Sequence, residues 1–152
     1  PESLRQEFPL VVTGSTGWCN EPLKKQLAAL VAAGTVRHPG YVPADALPML
    51  YSGAAVFAFP SIYEGFGLPV LEAMRSAVPV ICRAGTAMAE FAQGSCVLCE
   101  SGDPQELGAH LETLLGDAQA RRYWGERGYA QAQEFSWQRC ASETLEVYRA
   151  VL

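Results

Sequence analysis

The chain has 152 residues, 49% of them hydrophobic and 18% charged, with a formal net charge of −5. That length fits one domain able to bury its own core. The negative balance, with no polybasic run, excludes nucleic acid and anionic lipid as electrostatically driven partners, and no stretch approaches the ~20 apolar residues that a membrane span needs.

The elements follow in chain order. Phe8 to Gly14 reads as a strand closing on glycine. Glu21 to Ala33 has a helical pattern, with Asn20 as its N-cap and Pro22 near its first turn. Thr35 to His38 is a short strand, followed by a turn at Pro39-Gly40, and a short helix is expected around Ala44 to Tyr51. Ala54 to Phe59 is apolar and rich in strand formers, as a buried strand should be. Val78 to Cys82 and Cys96 to Leu98 are further short apolar runs, suited to a parallel sheet covered on both faces. Pro79 is tolerable only near the start of its strand. After Gly102 the pattern is helical alone: Asp103-Pro-Gln-Glu106 has a cap, a first-turn proline and an acid three residues on, opening a helix to Leu115. A second helix is expected over Ala118 to Glu134, and a third, capped by Ser136, through Leu152.

Strands alternating with helices predict an α/β fold, a Rossmann-like open parallel sheet with helices on both faces. Ligands of such sheets bind beyond the carboxyl ends of the strands. Gly14, Gly40 and the segment Glu64 to Leu68 all fall at such ends.

Five cysteines, at 19, 82, 96, 99 and 140, are an odd number, which argues for reduced thiols and a cytoplasmic setting. Cys96-Val-Leu-Cys99 has the spacing of a metal or redox pair. In a strand, however, residues three apart point to opposite faces, so buried structural thiols are expected instead. The histidines, His38 and His110, are far apart in sequence and complete no ligand cluster.

The densest chemistry lies in Pro60-Ser-Ile-Tyr-Glu-Gly-Phe-Gly-Leu-Pro-Val-Leu-Glu72. A strand, a glycine turn and a helix N-terminus in that order aim unpaired N–H groups and the helix dipole at one spot, which suits an anion. Glu64 and Glu72 flank it. Carboxylates repel phosphate but accept hydrogen bonds from hydroxyls, and a phosphate set between hydroxyl-bearing groups describes a sugar nucleotide. The plainer readings are that Glu72 stabilises a helix dipole by ~0.3–1 kcal/mol, that Gly65 and Gly67 make a tight turn, and that Phe66 packs. Trp18, Trp124 and Trp137 read as core or interface aromatics, and Arg121 to Arg127 as a packed amphipathic helix rather than a nucleic-acid patch.

The stretch from Tyr51 to Met74 closely resembles the signature of family 4 retaining glycosyltransferases of the GT-B fold. The likeness continues through Val78 to Ile81, Glu90, Asp103 to Leu107 and Phe135 to Trp137, and Gly40-Tyr-Val42 resembles the family loop after the third strand. What the resemblance implies is the C-terminal, donor-binding half of a two-domain enzyme. Glu72 would accept from the ribose hydroxyls, and Glu64, the catalytic candidate, from hydroxyls of the transferred sugar. The N–H groups of Gly65, Phe66, Gly67 and Leu68 would meet the sugar and the distal phosphate, with Tyr41 and Val42 beside the base. The family is metal-independent, so no cofactor or metal is expected beyond the nucleoside-diphosphate sugar.

The resemblance also implies parts that this sequence does not show. The family has an earlier strand and helix carrying an Arg and a Lys that neutralise the departing diphosphate; Arg37 and Arg83 do not stand at those positions. An N-terminal acceptor domain is likewise expected elsewhere in a parent enzyme, itself cytoplasmic or peripheral at the inner face of the membrane. The isolated chain would then bind donor without full activity, and its open sheet edge would favour self-association. The alternative from another class is a degenerate, non-catalytic module that acts through protein–protein contacts. A dinucleotide-dependent oxidoreductase is disfavoured, because no G-x-G-x-x-G follows a predicted strand.

Overall fold

A computed structural model describes residues 1–15 and 21–152. The expected helix cap Asn20 lies outside the described residues, as do Trp18 and Cys19. The chain divides into two compact units, Pro1–Ala55 and Val56–Leu152.

The first unit opens with α1 (Glu2–Glu7), followed by β1 (Leu10–Thr13), α2 (Glu21–Ala32), β2 (Val36–Gly40) and α3 (Leu47–Ser52). Strands β1 and β2 pair in parallel, with α2 packed against β2. Helix α1 was not expected: it is six residues long, uncapped by any side chain, and buries nothing. The expected turn at Pro39-Gly40 is instead part of β2. The register passes from Val11↔Arg37 to Thr13↔Gly40, so β2 carries one extra residue around His38-Pro39. Proline lacks a ladder donor and is accommodated where a bulge interrupts the ladder. Beyond the bulge, the Gly14 N–H donates to the Gly40 carbonyl at 2.9 Å.

The second unit holds β3 (Phe57–Phe59), α4 (Leu68–Arg75), β4 (Val80–Arg83), α5 (Ala87–Ala92), β5 (Val97–Cys99), α6 (Pro104–Gly116), α7 (Ala118–Ala132) and α8 (Trp137–Val151). Its sheet is parallel, in the order β3-β4-β5. Strand β3 starts three residues later than expected, where the Phe57 N–H first meets the Pro79 carbonyl at 2.9 Å. Pro79 precedes β4, so its missing N–H costs the ladder nothing.

Central strand β4 is the most buried, and its neighbours cover both faces. Ile81, Cys99 and Leu114 form a core with Leu107 and Leu111 of α6 and Ala120 and Trp124 of α7. Alternation turns Val80 and Cys82 the other way, and α4 and α5 both pack on β4. Helix α7 also reaches α4. The approach is close enough that a Cβ on Gly125 would overlap the Ala77 carbonyl, so only glycine fits there.

Helix ends follow side-chain chemistry. The Asp103 carboxylate accepts from Gln105 N–H at 2.9 Å, that of Asp117 from Gln119 and Ala120 N–H, and the Ser136 hydroxyl from Arg139 N–H at 3.1 Å.

Candidate functional site

Two expectations about the titratable groups come out clearly. Cys96 and Cys99 do lie on opposite sides: Cys99 is in the Ile81 core, whereas the Cys96 thiol meets Cys82 at 3.5 Å. All three are buried and reduced. The contact with Cys82, followed by burial, holds Cys96 protonated far above the usual thiol range, and burial pushes Cys99 up as well. Cys140 is exposed on α8. The basic stretch of α7 serves packing. Arg121 donates to the Leu114 and Leu115 carbonyls at the end of α6, and Arg127 donates to the Gly94 carbonyl while lying 5.4 Å from the Tyr123 ring centre.

The glutamate segment lies in the second unit, where β3 ends and α4 begins. Glu64 is half-buried in the loop, four residues ahead of the helix. Gly67 is the N-cap of α4, with φ 98°, and its Cα faces Met88 of α5 so closely that a Cβ would overlap the Met88 side chain. Left-handed backbone and absent space both demand glycine here. Pro69 takes the second helical position, and the Val70 and Leu71 N–H groups close onto the Gly67 carbonyl.

This arrangement leaves a row of donors. The N–H groups of Gly65, Phe66, Gly67 and Leu68 have no acceptor among the described residues. Helix N-termini always carry such orphans, but here the two preceding loop residues extend the row. Glu72 is exposed and fifth in the eight-residue helix, so no acid stands in the first turn of α4. The dipole contribution fades within one turn, which weakens the purely structural reading of Glu72. Glu90 is the reverse case, an acid in the first turn of α5.

Phe66 packs, as its plainer reading held. It is 41% exposed, stacks on Phe91 at 4.9 Å between ring centres, and meets Phe135 edge-on at 6.2 Å. Tyr41 and Val42 follow β2 in the first unit, with Tyr41 exposed and Val42 half-buried. No local pattern signals the Met88 and Phe91 contacts, because their positions in α5 are set by tertiary packing alone.

The family description "Glycosyl transferases group 1" matches residues 1–131. The chain belongs to the group 1 glycosyltransferase family. Among this family's curated members it is 38% identical, over 149 residues, to an O-antigen chain mannosyltransferase B of Escherichia coli; the match takes in 98% of this chain and 39% of that protein. It is 35% identical to an MMP alpha-(1->4)-mannosyltransferase of Mycolicibacterium hassiacum, covering 88% of this chain and 33% of the relative. The chain thus spans about two fifths or less of these relatives. Anabaena HepE, in a crystal structure with UDP and glucose, shares the fold with a TM-score of 0.82 at 21% identity, over 97% of this chain and 43% of that one. A glycosyltransferase of the GT-B fold, seen here through its C-terminal part, accounts for all of these likenesses. Among the described residues no helix is long and apolar enough to cross a membrane.

Proposed function

We propose that this chain is the donor-binding part of a retaining hexosyltransferase, taking a sugar from a nucleoside diphosphate and delivering it to a hydroxyl. The observation that carries the reading is the row of unpaired N–H groups from Gly65 to Leu68, set between Glu64 and Glu72. The mannosyltransferase relatives favour mannose as the sugar, and the HepE structure with UDP favours a nucleoside diphosphate as its carrier. They also favour a transferase over a non-catalytic module.

In the proposed reaction the bond between the anomeric carbon and the distal phosphate oxygen breaks. The nucleoside diphosphate leaves with the electron pair, the acceptor oxygen bonds to the anomeric carbon on the same face, and its proton passes to the departing phosphate oxygen. Charge grows on the departing phosphate, where preorganised N–H donors are each worth about 2.7–4 kcal/mol of barrier. Glu72 holds the ribose hydroxyls and Glu64 the sugar hydroxyls, acting as the catalytic carboxylate of the site. With the acceptor bound elsewhere in a longer enzyme, the chain by itself is expected to bind donor and transfer slowly.

Calorimetry with GDP, UDP and their sugar conjugates tests this. The wild-type chain should bind at least one conjugate below millimolar concentration. Glu72→Ala should weaken nucleotide and conjugate alike, by roughly tenfold for a lost charge-assisted hydrogen bond. Glu64→Ala should instead abolish the preference for conjugate over bare nucleotide. A folded chain that binds none of these ligands at millimolar concentration overturns the proposal.

A further inference from the structure

We infer that Phe135 is a positioning residue for the glutamate loop, holding Phe66 and with it the neighbouring N–H row from a turn remote in sequence. Phe135 lies between α7 and α8, beyond the residues 1–131 that the family description covers. Its ring meets Phe66 edge-on at 6.2 Å and Phe91 edge-on at 5.6 Å, while Phe66 and Phe91 stack at 4.9 Å. Edge-to-face and offset-stacked pairs are the favoured aromatic geometries. Phe66 is therefore clamped on two sides, and it is flanked by two glycines that could not hold the loop themselves.

The clamp is only as firm as the turn that carries it, and that turn is tied down. The Phe135 N–H donates to the Ala132 carbonyl at 3.2 Å, and Arg139 donates to the Glu134 carbonyl at 3.0 Å. Ser136 caps α8 directly after it. The same turn grips the far end of α4, where Arg75 donates to the Gln133 side chain at 2.8 Å and to the Ala132 carbonyl at 3.5 Å. Residues 132–135 thus brace α4 at both ends. A side chain that touches no ligand in the proposed site sets where the N–H row stands.

The part of this inference that concerns ligands rests on the donor-binding reading above; the part that concerns the loop does not. Hydrogen exchange reads the loop through the Val70 and Leu71 amides, which close onto the Gly67 carbonyl. In Phe135→Ala their exchange should speed up roughly two- to tenfold, the range of a lost aromatic pair, while the β5 amides keep their rates. Phe135→Tyr, which retains the ring, should restore slow exchange. Calorimetry should show Phe135→Ala losing affinity for the sugar conjugate and the nucleoside diphosphate by a similar factor, with the nucleoside monophosphate, which lacks the distal phosphate, changed by under about twofold. Unchanged exchange at Val70 and Leu71, or equal acceleration across the whole unit, overturns the inference, as does an equal loss for conjugate and nucleoside monophosphate. Should the wild-type chain bind no conjugate, the donor reading fails and the exchange result alone decides.

Discussion

Gly67 carries two constraints at once, a left-handed backbone and a methionine where its side chain would be. Gly67→Ala is expected to destabilise the chain by about 2–4 kcal/mol, the sum of left-handed strain and overpacking. Met88→Ala in that background should recover part of the loss, because it clears the overlap but leaves φ unchanged. Urea unfolding of the four chains checks this, and strictly additive effects would contradict the contact. The two glutamates show how position decides meaning at this scale. Glu90 has an ordinary structural role open to it as a first-turn acid, whereas Glu72, one residue further into its helix, lies outside the first turn and gains less from the dipole.

Among the elements, the loop from β5 to α6 is held by a single carboxylate. Glu106 accepts from Glu100 N–H at 2.8 Å, Ser101 N–H at 2.9 Å and the Ser101 hydroxyl at 2.6 Å. The Ser101 hydroxyl bond leads these contacts in lowering its pKa to about 2, from an ordinary 4.5. A depressed folded-state pKa means stability that is present above pH 4.5 and lost as pH falls towards 2. Glu106→Gln should therefore flatten the melting-temperature profile between about pH 4.5 and 2, as followed by circular dichroism. The same loop shows why some of the fold was legible and some was not. Asp103, Pro104 and Ser136 announced their helix ends, because capping is local chemistry. The acid three residues after the cap, Glu106, does not bond back to the cap residue: the Asp103 N–H is already taken by the Ser101 hydroxyl, and Glu106 reaches further back. Apolar runs likewise revealed β3 and β4 but not their first residues, which the partner strand sets through Phe57 and Pro79. Of the site, the glutamates and glycines were readable as a local pattern. The clamp on Phe66 was not, since Phe91 and Phe135 arrive from 25 and 69 residues away.

For the molecule as a whole, apolar surface is left open in both units. Leu10 and Val11 of β1 and Leu23, Leu30 and Val31 of α2 are exposed in the first, and Trp137, Leu145, Tyr148 and Val151 of α8 in the second. Exposed apolar side chains in such numbers favour association. The chain is expected to self-associate as its concentration rises, or to melt at low temperature. Light scattering showing a monomer at high concentration, together with a high melting point, would refute that. The row of main-chain donors from Gly65 to Leu68 makes a different demand on experiment. Every L-amino acid except proline supplies the same peptide hydrogen, so an alanine scan of that loop leaves its chemistry intact and reports only packing and strain. Deleting one donor takes a backbone edit: an ester linkage in place of a single peptide bond, installed by semisynthesis.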